Sequence, residues 1–417
     1  MNAVIAYVSR HRKALIGIAV VFLLLAVKVV WVECSCRSLG SFETEKTEIL
    51  QRRNYLVEKV VVEPRKLIGE MPRAIGRRFQ GEWALYSCSM LTAALANIAD
   101  TYPETSKSAA VTVDSLIRIV MSPDLRAYDC YAWGEDPLET LDGDNSHMSY
   151  LSHLAWMIGN YDRLGGDGRY SQLHDSICFA LNRRILQSET LNIETYPQEP
   201  IYIPDMLVAI VALSDYSCKH SGRYADTVEM WLARAKSDWC DSETGLLASS
   251  LDDKGRPVSP VRGSYSALSC YYLTLVAPNF AKEQYEALKT CFGQDFPVSG
   301  IREFHDRSCW LGLDVDSGPV ILNLSPSGTA FAIGSATYFD DTELRDKLLR
   351  SAEIAGHTVK WNDSRHYLLS GVALVGEAIT LAMRTNRFRE TFLCPCELEL
   401  YEHDRGMNGV SLSVNNP

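Results

Sequence analysis

The feature that most constrains this 417-residue chain is an alternation that begins at Phe79. Apolar stretches with helical spacing, each about 12 to 20 residues long, succeed one another and are joined in turn by a tight turn and by a long linker. The stretches pair as Phe79–Asp100 with Ala109–Met121, His147–Asp162 with Tyr170–Gln187, Asp205–His220 with Tyr224–Asp238, Ser264–Ala277 with Ala281–Phe292, and Leu322–Phe339 with Asp341–His357. Tyr367–Thr385 stands last, and a charged amphipathic segment, Glu43–Lys59, precedes them all. Few segments alternate with period two, so strands are not expected to build the core.

Tight turns make antiparallel neighbours, and six such hairpins closing on themselves give an all-α fold, an (α/α)6 toroid of about twelve helices. The inner helices are then buried on most sides and the outer ones amphipathic. The long linkers, Pro123–Ser146, Ser188–Pro204, Asp238–Gly263 and Gly293–Ser317, are expected to gather at one mouth and carry function. An open superhelical array of helix pairs is the alternative, but no repeat of fixed period supports it.

Ahead of this body, Ala14–Val32 carries a single charge, Lys28, and comes directly after Arg10, His11, Arg12 and Lys13. The length spans a bilayer, and the preceding basic cluster keeps the N-terminus in the cytoplasm and exports the remainder of the chain. A cleaved signal peptide is the competing reading. The chain therefore divides into a basic N-terminus (1–13), a transmembrane anchor (14–32), a juxtamembrane linker and helix (33–78), the toroid (79–390) and a C-terminal tail (391–417). The body is expected outside the cytoplasm, in the periplasm if the cell is Gram-negative. Of twelve cysteines, Cys34 with Cys36 and Cys394 with Cys396 flank the body and suit a bridge between its ends, or remain thiols. Cys88, Cys178 and Cys270 sit at apolar helical positions, as small core hydrophobes do.

The formal charge of −11, with no basic stripe, excludes nucleic acid as the expected partner. No glycine-rich phosphate loop, metal-spaced histidine motif or Gly-x-Ser-x-Gly elbow is present, so neither cofactor nor metal is expected. Chemistry concentrates in the linkers, where carboxylates and aromatic residues stand just before helix starts. Trp133, Glu135 and Asp136 form one cluster, Tyr196, Glu199, Tyr202 and Asp205 a second, Arg262 a third, and Glu303, Asp314 and Asp316 a fourth. Asp205, His153, Glu135 and Asp136 are the candidate acids and bases of one cleft. The aromatic residues, with Glu199, Arg262, Glu303, Asp314 and Asp316, are candidate contacts for a small-molecule or glycan substrate. Each has a plainer reading: helix capping for Asp205 and Ser264, a satisfied core side chain for His153, and loop turns for Asp314 and Asp316.

Between Phe79 and Thr385 the order of Asp136-Pro137-Leu138-Glu139, Tyr150-Leu151-Ser152-His153-Leu154, Tyr161, Arg169-Tyr170, Pro204-Asp205, Trp231, Asp241 and Gly245 resembles the linalool dehydratase-isomerase-like (α/α)6 family. The resemblance implies the same toroid, a ring-shaped homo-oligomer, and a cleft in which His153 and Asp205 handle protons. It departs at the family's two cysteines, whose places are taken by Tyr202 and Val211. Three functions stand as expectations: a lyase or isomerase acting by acid–base chemistry on a hydroxylated apolar or amphipathic substrate, a glycan hydrolase or lyase using loop carboxylates, and a non-catalytic envelope binding protein.

Overall fold

The computed structural model describes residues 42–306 and 309–388, with isolated positions between Leu23 and Val32. The protein is all-α, and the described residues form fourteen α-helices: α1 Phe42–Val60, α2 Pro64–Gly69, α3 Gly76–Thr101, α4 Ser106–Val120, α5 Pro123–Trp133, α6 Met148–Arg163, α7 Ser171–Gln187, α8 Ile203–Lys219, α9 Ala225–Asp238, α10 Gly263–Leu273, α11 Pro278–Phe292, α12 Pro326–Tyr338, α13 Thr342–Gly356 and α14 Leu374–Arg384. The strands are short and occur only in antiparallel pairs: β1 Ile201–Tyr202 with β2 Ser250–Leu251, β3 Gly293–Gln294 with β4 Gly300–Ile301, β5 Leu311–Asp314 with β6 Gly318–Ile321, and β7 Thr358–Trp361 with β8 Ser364–Tyr367.

Helix starts obey local chemistry. Ser122 and Ser325 each accept a backbone N–H of the first turn and are followed by proline, whose missing N–H costs nothing there; Asp341 caps α13 in the same way. Two kinds of helix result. In α3 every residue from Ser87 to Ala99 is buried, and in α6 every residue from Met148 to Tyr161. In α13 only Leu348, Ser351 and Gly356 are buried. The buried helices pack in a cyclic order: α3 on α6, α6 on α8, α8 on α10, α10 on α12, α12 on α14, and α14 back on α3. Outside them, α4, α7, α9, α11 and α13 each pack on the helix that precedes them in their hairpin.

The final helix finds its outer partner at the other end of the chain, because α1 packs on α14 and α3. Placed by the sequence in the juxtamembrane segment 33–78 yet needed as the twelfth helix, α1 packs as part of the body. Arg52 and Glu377, 325 residues apart, pair at 2.7 Å with both side chains 1 % exposed. Arg52 also reaches Glu48 at 3.1 Å and Thr358 at 2.8 Å, and its guanidinium lies 4.1 Å from the centre of the Tyr367 ring. Glu48 is held in turn by Arg384 at 2.8 Å and Arg365 at 3.3 Å, so Arg384 and Arg52 together keep its carboxyl well below the usual range despite burial.

Two differences from the sequence reading have local causes. The linker 123–146 opens with a helix, α5, because Ser122-Pro123 starts one and Gly134, at φ 78°, ends it in the left-handed conformation glycine tolerates. The last helix begins at Leu374 rather than Tyr367, since 358–367 forms the β7–β8 hairpin against α1. Ala14–Val32 lies for the most part outside the described residues, as do the two flanking cysteine pairs and the tail 391–417. Among the described residues no helix is long and apolar enough to cross a membrane. Glu45, near the start of α1, meets Arg345 and Arg387, while Lys46 pairs with Glu104 at the α3–α4 turn. The chain thus joins the body at the end where the inner helices finish.

Removing one member of a buried charge cluster leaves its partners uncompensated. Arg52→Ala is expected to lower stability by about 3–5 kcal/mol in chemical denaturation. Lys59→Ala, at an exposed position on the same helix, should stay within about 0.5 kcal/mol.

Candidate active site at the mouth of the helix ring

Because each hairpin runs inner helix, turn, outer helix, the inner helices all start at the linker end, and contacts between linkers confirm that these meet there. Strand β1, in the linker before α8, pairs with β2 in the linker before α10, and Tyr202 stacks edge-on against Tyr265 at 5.8 Å. Gly263 lets α10 begin directly against the next linker: a Cβ there would lie 1.8 Å from the Arg302 carbonyl oxygen. Its N–H donates to Glu303 O at 3.0 Å.

Inside this mouth the faces of four helices converge. On α3, Arg78, Glu82, Tyr86 and Ser89 share one face at helical spacing. Tyr86 donates to Asp205 Oδ1 at 3.2 Å, and Thr195 to Asp205 Oδ2 at 2.9 Å. Asp205 therefore spends both oxygens on side-chain hydroxyls in the first turn of α8, where the N-cap position belongs to Tyr202. On α6, His153 shares a 2.8 Å hydrogen bond between Nδ1 and Ser89 Oγ, with its ring centre 4.4 Å from that of Tyr86. Trp156 lies beside His153 and meets Tyr272 of α10 edge-on at 5.8 Å.

The electrostatics of this cluster divide its carboxyls. Glu82 is pushed up to about 8 by burial first and then by the negative charges of Asp205 and Asp316, while Tyr196 and Arg78 pull the other way. Its Oε2 has no hydrogen-bond partner, and neither has the Tyr272 hydroxyl. Asp205 is pushed up to about 6, again mainly by burial, with the Thr195 and Tyr86 hydroxyls opposing. Glu82, Tyr86 and Asp205 are nevertheless each part-exposed rather than fully buried. His153 behaves differently: at 1 % exposure, burial holds it down at about 3, and its imidazole stays neutral across the physiological range.

The other candidates from the sequence fall into two groups. Tyr196, Tyr202, Glu199 and Asp316 join the mouth. Arg78 binds Glu199 at 2.6 Å and lies 4.5 Å from the centre of the Tyr196 ring, and the exposed Asp316 accepts from Tyr265 at 2.6 Å. Arg262, Glu303 and Asp314 knit the linkers together instead. The guanidinium of Arg262 meets Glu303 at 2.5 Å and Asp314 at 3.1 Å, and Ser264 donates to Glu303 rather than capping α10. Asp314 also accepts two backbone N–H groups of its own turn, from Asp316 and Ser317.

Glu135 and Asp136 are engaged apart from Asp205. Glu135 meets His147 Nε2 at 3.2 Å, and His147 Nδ1 meets the fully buried Asp129 at 2.6 Å, with Trp133 tilted over the imidazole at 5.2 Å. Asp136 pairs with Arg126 at 2.7 Å and accepts from Leu138 N. Sequence reading missed Glu82, Tyr86 and Tyr272. A signal existed, because Glu82 is the single carboxylate of α3 before Asp100 and is flanked by Arg78 and Tyr86 on the same helical face. Among the described residues no three His, Cys, Asp or Glu side chains converge as a metal-holding group.

A carboxyl whose folded pKa is raised weakens the fold as it ionises. For Glu82 that loss is absent below its unfolded value near 4.5 and complete above about 8. Glu82→Gln is therefore expected to raise the melting temperature relative to the parent at pH 8–9 and to leave it nearly unchanged at pH 4. An equal shift at both pH values would show that Glu82 is not held protonated. No family model matches the chain.

Proposed function

We propose that this protein is a membrane-anchored, extracytoplasmic enzyme that cleaves a C–O bond of a polyhydroxylated, glycan-like substrate by acid–base chemistry at the mouth of an (α/α)6 toroid. The toroid reading is supported by the cyclic packing of the six buried helices and by α1 supplying the sixth outer helix. The anchor reading rests on Ala14–Val32 and its basic flank. With the chain joining the body at the end opposite the mouth, such an anchor would leave the mouth facing away from the bilayer.

One arrangement carries the chemistry: Glu82 and Asp205 stand beside the same tyrosine, which donates to Asp205, and burial raises the Glu82 carboxyl further than the Asp205 carboxyl. Two carboxyls in unlike surroundings are an acid and a base ready at one pH. Glu82 donates to the leaving oxygen as the C–O bond breaks. Asp205 takes a proton from attacking water, which is hydrolysis, or from the adjoining carbon, which is elimination. Tyr86, bonded to Asp205, holds the base in place. His153, neutral and bonded to Ser89, backs the Tyr86 ring from within the core.

The lining favours a polyhydroxylated substrate over the apolar alcohol implied by the family resemblance. Tyr86, Tyr196, Tyr202, Tyr265, Thr195, Glu199 and Asp316 surround the two carboxyls with hydroxyls and charge, which an apolar chain would desolvate without return. Tyr202 and Val211, standing where the resemblance has cysteines, remove that family's own chemistry.

Glu82→Gln and Asp205→Asn are each expected to lower kcat on a glycan substrate by about 10²-fold or more, with KM changed far less. The pH profile of kcat/KM should be a bell with limbs near 6 and 8, the lower limb vanishing in Asp205→Asn and the upper in Glu82→Gln. Wild-type rates in either variant would refute the assignment.

A further inference from the structure

Beside the mouth, a groove of about 660 Å³ runs between the linkers that precede α6, α8 and α10. Neither Glu82 nor Asp205 lines it, but Glu199 connects the two places. Glu199 lines the groove, and its charge acts on Asp205 and on Tyr202 across the linker before α8. A chain reacting at Asp205 would lie across this linker, with the groove as its continuation.

The composition of the groove is selective. Its ionisable groups are Asp144, Glu194, Glu199, Asp252 and Asp253, and no lysine or arginine lines it. The remaining polar lining is hydroxyl and amide, from serine, threonine, asparagine and glutamine side chains, and Trp133 supplies an indole. The Trp133 Nε1–H is shielded from bulk solvent and has no hydrogen-bond partner in the protein. Glu194, half-buried in the linker before α8, makes no hydrogen bond or ion pair with the described residues. A ring face on an indole, with hydroxyls donating to carboxylates and exchanging with amides, is how a groove of this lining satisfies a sugar. Glu199, Asp144 and Asp252 are paired with Arg78, Arg183 and Arg256, which stand outside the lining, while no residue of the lining itself is cationic and Glu194 and Asp253 face an anionic sugar with like charge.

We infer that this groove is a substrate subsite for a saccharide chain that bears no anionic groups, with Trp133 as its stacking platform and the linker carboxylates as hydroxyl acceptors. The inference rests on the glycan reading of the mouth and extends it from a reaction to a substrate class. It also gives Trp133 and Glu199 distinct parts: Trp133 belongs to the groove, while Glu199 stands between groove and mouth.

The test is calorimetric binding to the full-length chain carrying Glu82→Gln, which keeps a bound chain intact. The probes are the neutral hexasaccharides of glucose and of N-acetylglucosamine, and hexagalacturonate as the anionic counterpart. At least one neutral hexasaccharide should bind, and hexagalacturonate should bind at least about tenfold more weakly. Trp133→Ala should weaken the neutral probe about tenfold or more. Because Trp133 also packs on His147, a second variant guards against misfolding: Glu194→Lys, at a side chain without a partner, should tighten hexagalacturonate relative to the neutral probe. No binding by either neutral hexasaccharide, equal binding of the anionic one, or indifference to both Trp133→Ala and Glu194→Lys would overturn the subsite. If the neutral probe is cleaved by the parent but binds Trp133→Ala unchanged, the subsite fails and the acid–base reading stands. If Trp133→Ala loses binding while Asp205→Asn keeps full turnover, the acid–base reading fails and the subsite stands.

Discussion

A cyclic arrangement of helices depends on its first and last elements finding each other, and here the junction is a buried charge cluster. Arg52 and Glu48 of α1 meet Glu377 and Arg384 of α14, with Arg365 of the β7–β8 hairpin alongside. Closing a contact over 325 residues carries a large entropic cost, and an apolar seam alone would tolerate slippage along the helix axis. Charges taken out of water tolerate little, since each displaced partner leaves another unsatisfied. The cluster therefore fixes the register of α1 against α14. That register sets where α3 begins, because only the short α2 and a turn separate α1 from it.

Position along α3 is what the site needs. Glu82 and Tyr86 reach the mouth because they occupy the first turns of the helix, while the thirteen residues from Ser87 to Ala99 fill the centre of the ring. The same burial that makes α3 a core element makes Glu82 a poor carboxylate and a good carboxylic acid. Asp205, one helix start away and in contact with hydroxyls, is disfavoured less strongly. Fold and electrostatics are thus one arrangement: packing the ring raises the Glu82 carboxyl, and the linkers at its mouth supply Thr195 and the start of the helix that holds Asp205.

Much of this was legible in the sequence, and the limits have physical causes. Helical periodicity located the eleven stretches from Phe79 onward to within a few residues in most cases, because inner and outer helices differ in how much of their surface is apolar. Asp205, Tyr196, Tyr202 and Glu199 were singled out because linker positions before helix starts are few, and the structure places them at the mouth. Glu82 was passed over since a single acid in an apolar helix barely alters its periodicity, although that isolation is what perturbs it. Glu303, Asp314 and Asp136 look the same in sequence as Asp205, and only three-dimensional pairing with Arg262 and Arg126 sets them apart from it. The segment that forms α1 was legible as the twelfth helix, but its partners were not, since they lie at the opposite end of the chain.

The central claim is that two carboxyls at the mouth titrate far above ordinary values and apart from each other. Carboxyl carbon NMR on protein labelled at glutamate and aspartate, assigned by Glu82→Gln and Asp205→Asn, reads this directly. The account predicts a signal lost in Glu82→Gln that titrates near pH 8, and one lost in Asp205→Asn that titrates near pH 6. Both signals titrating below pH 5 would mean that the mouth holds two ordinary carboxylates, and the division of acid and base would be contradicted.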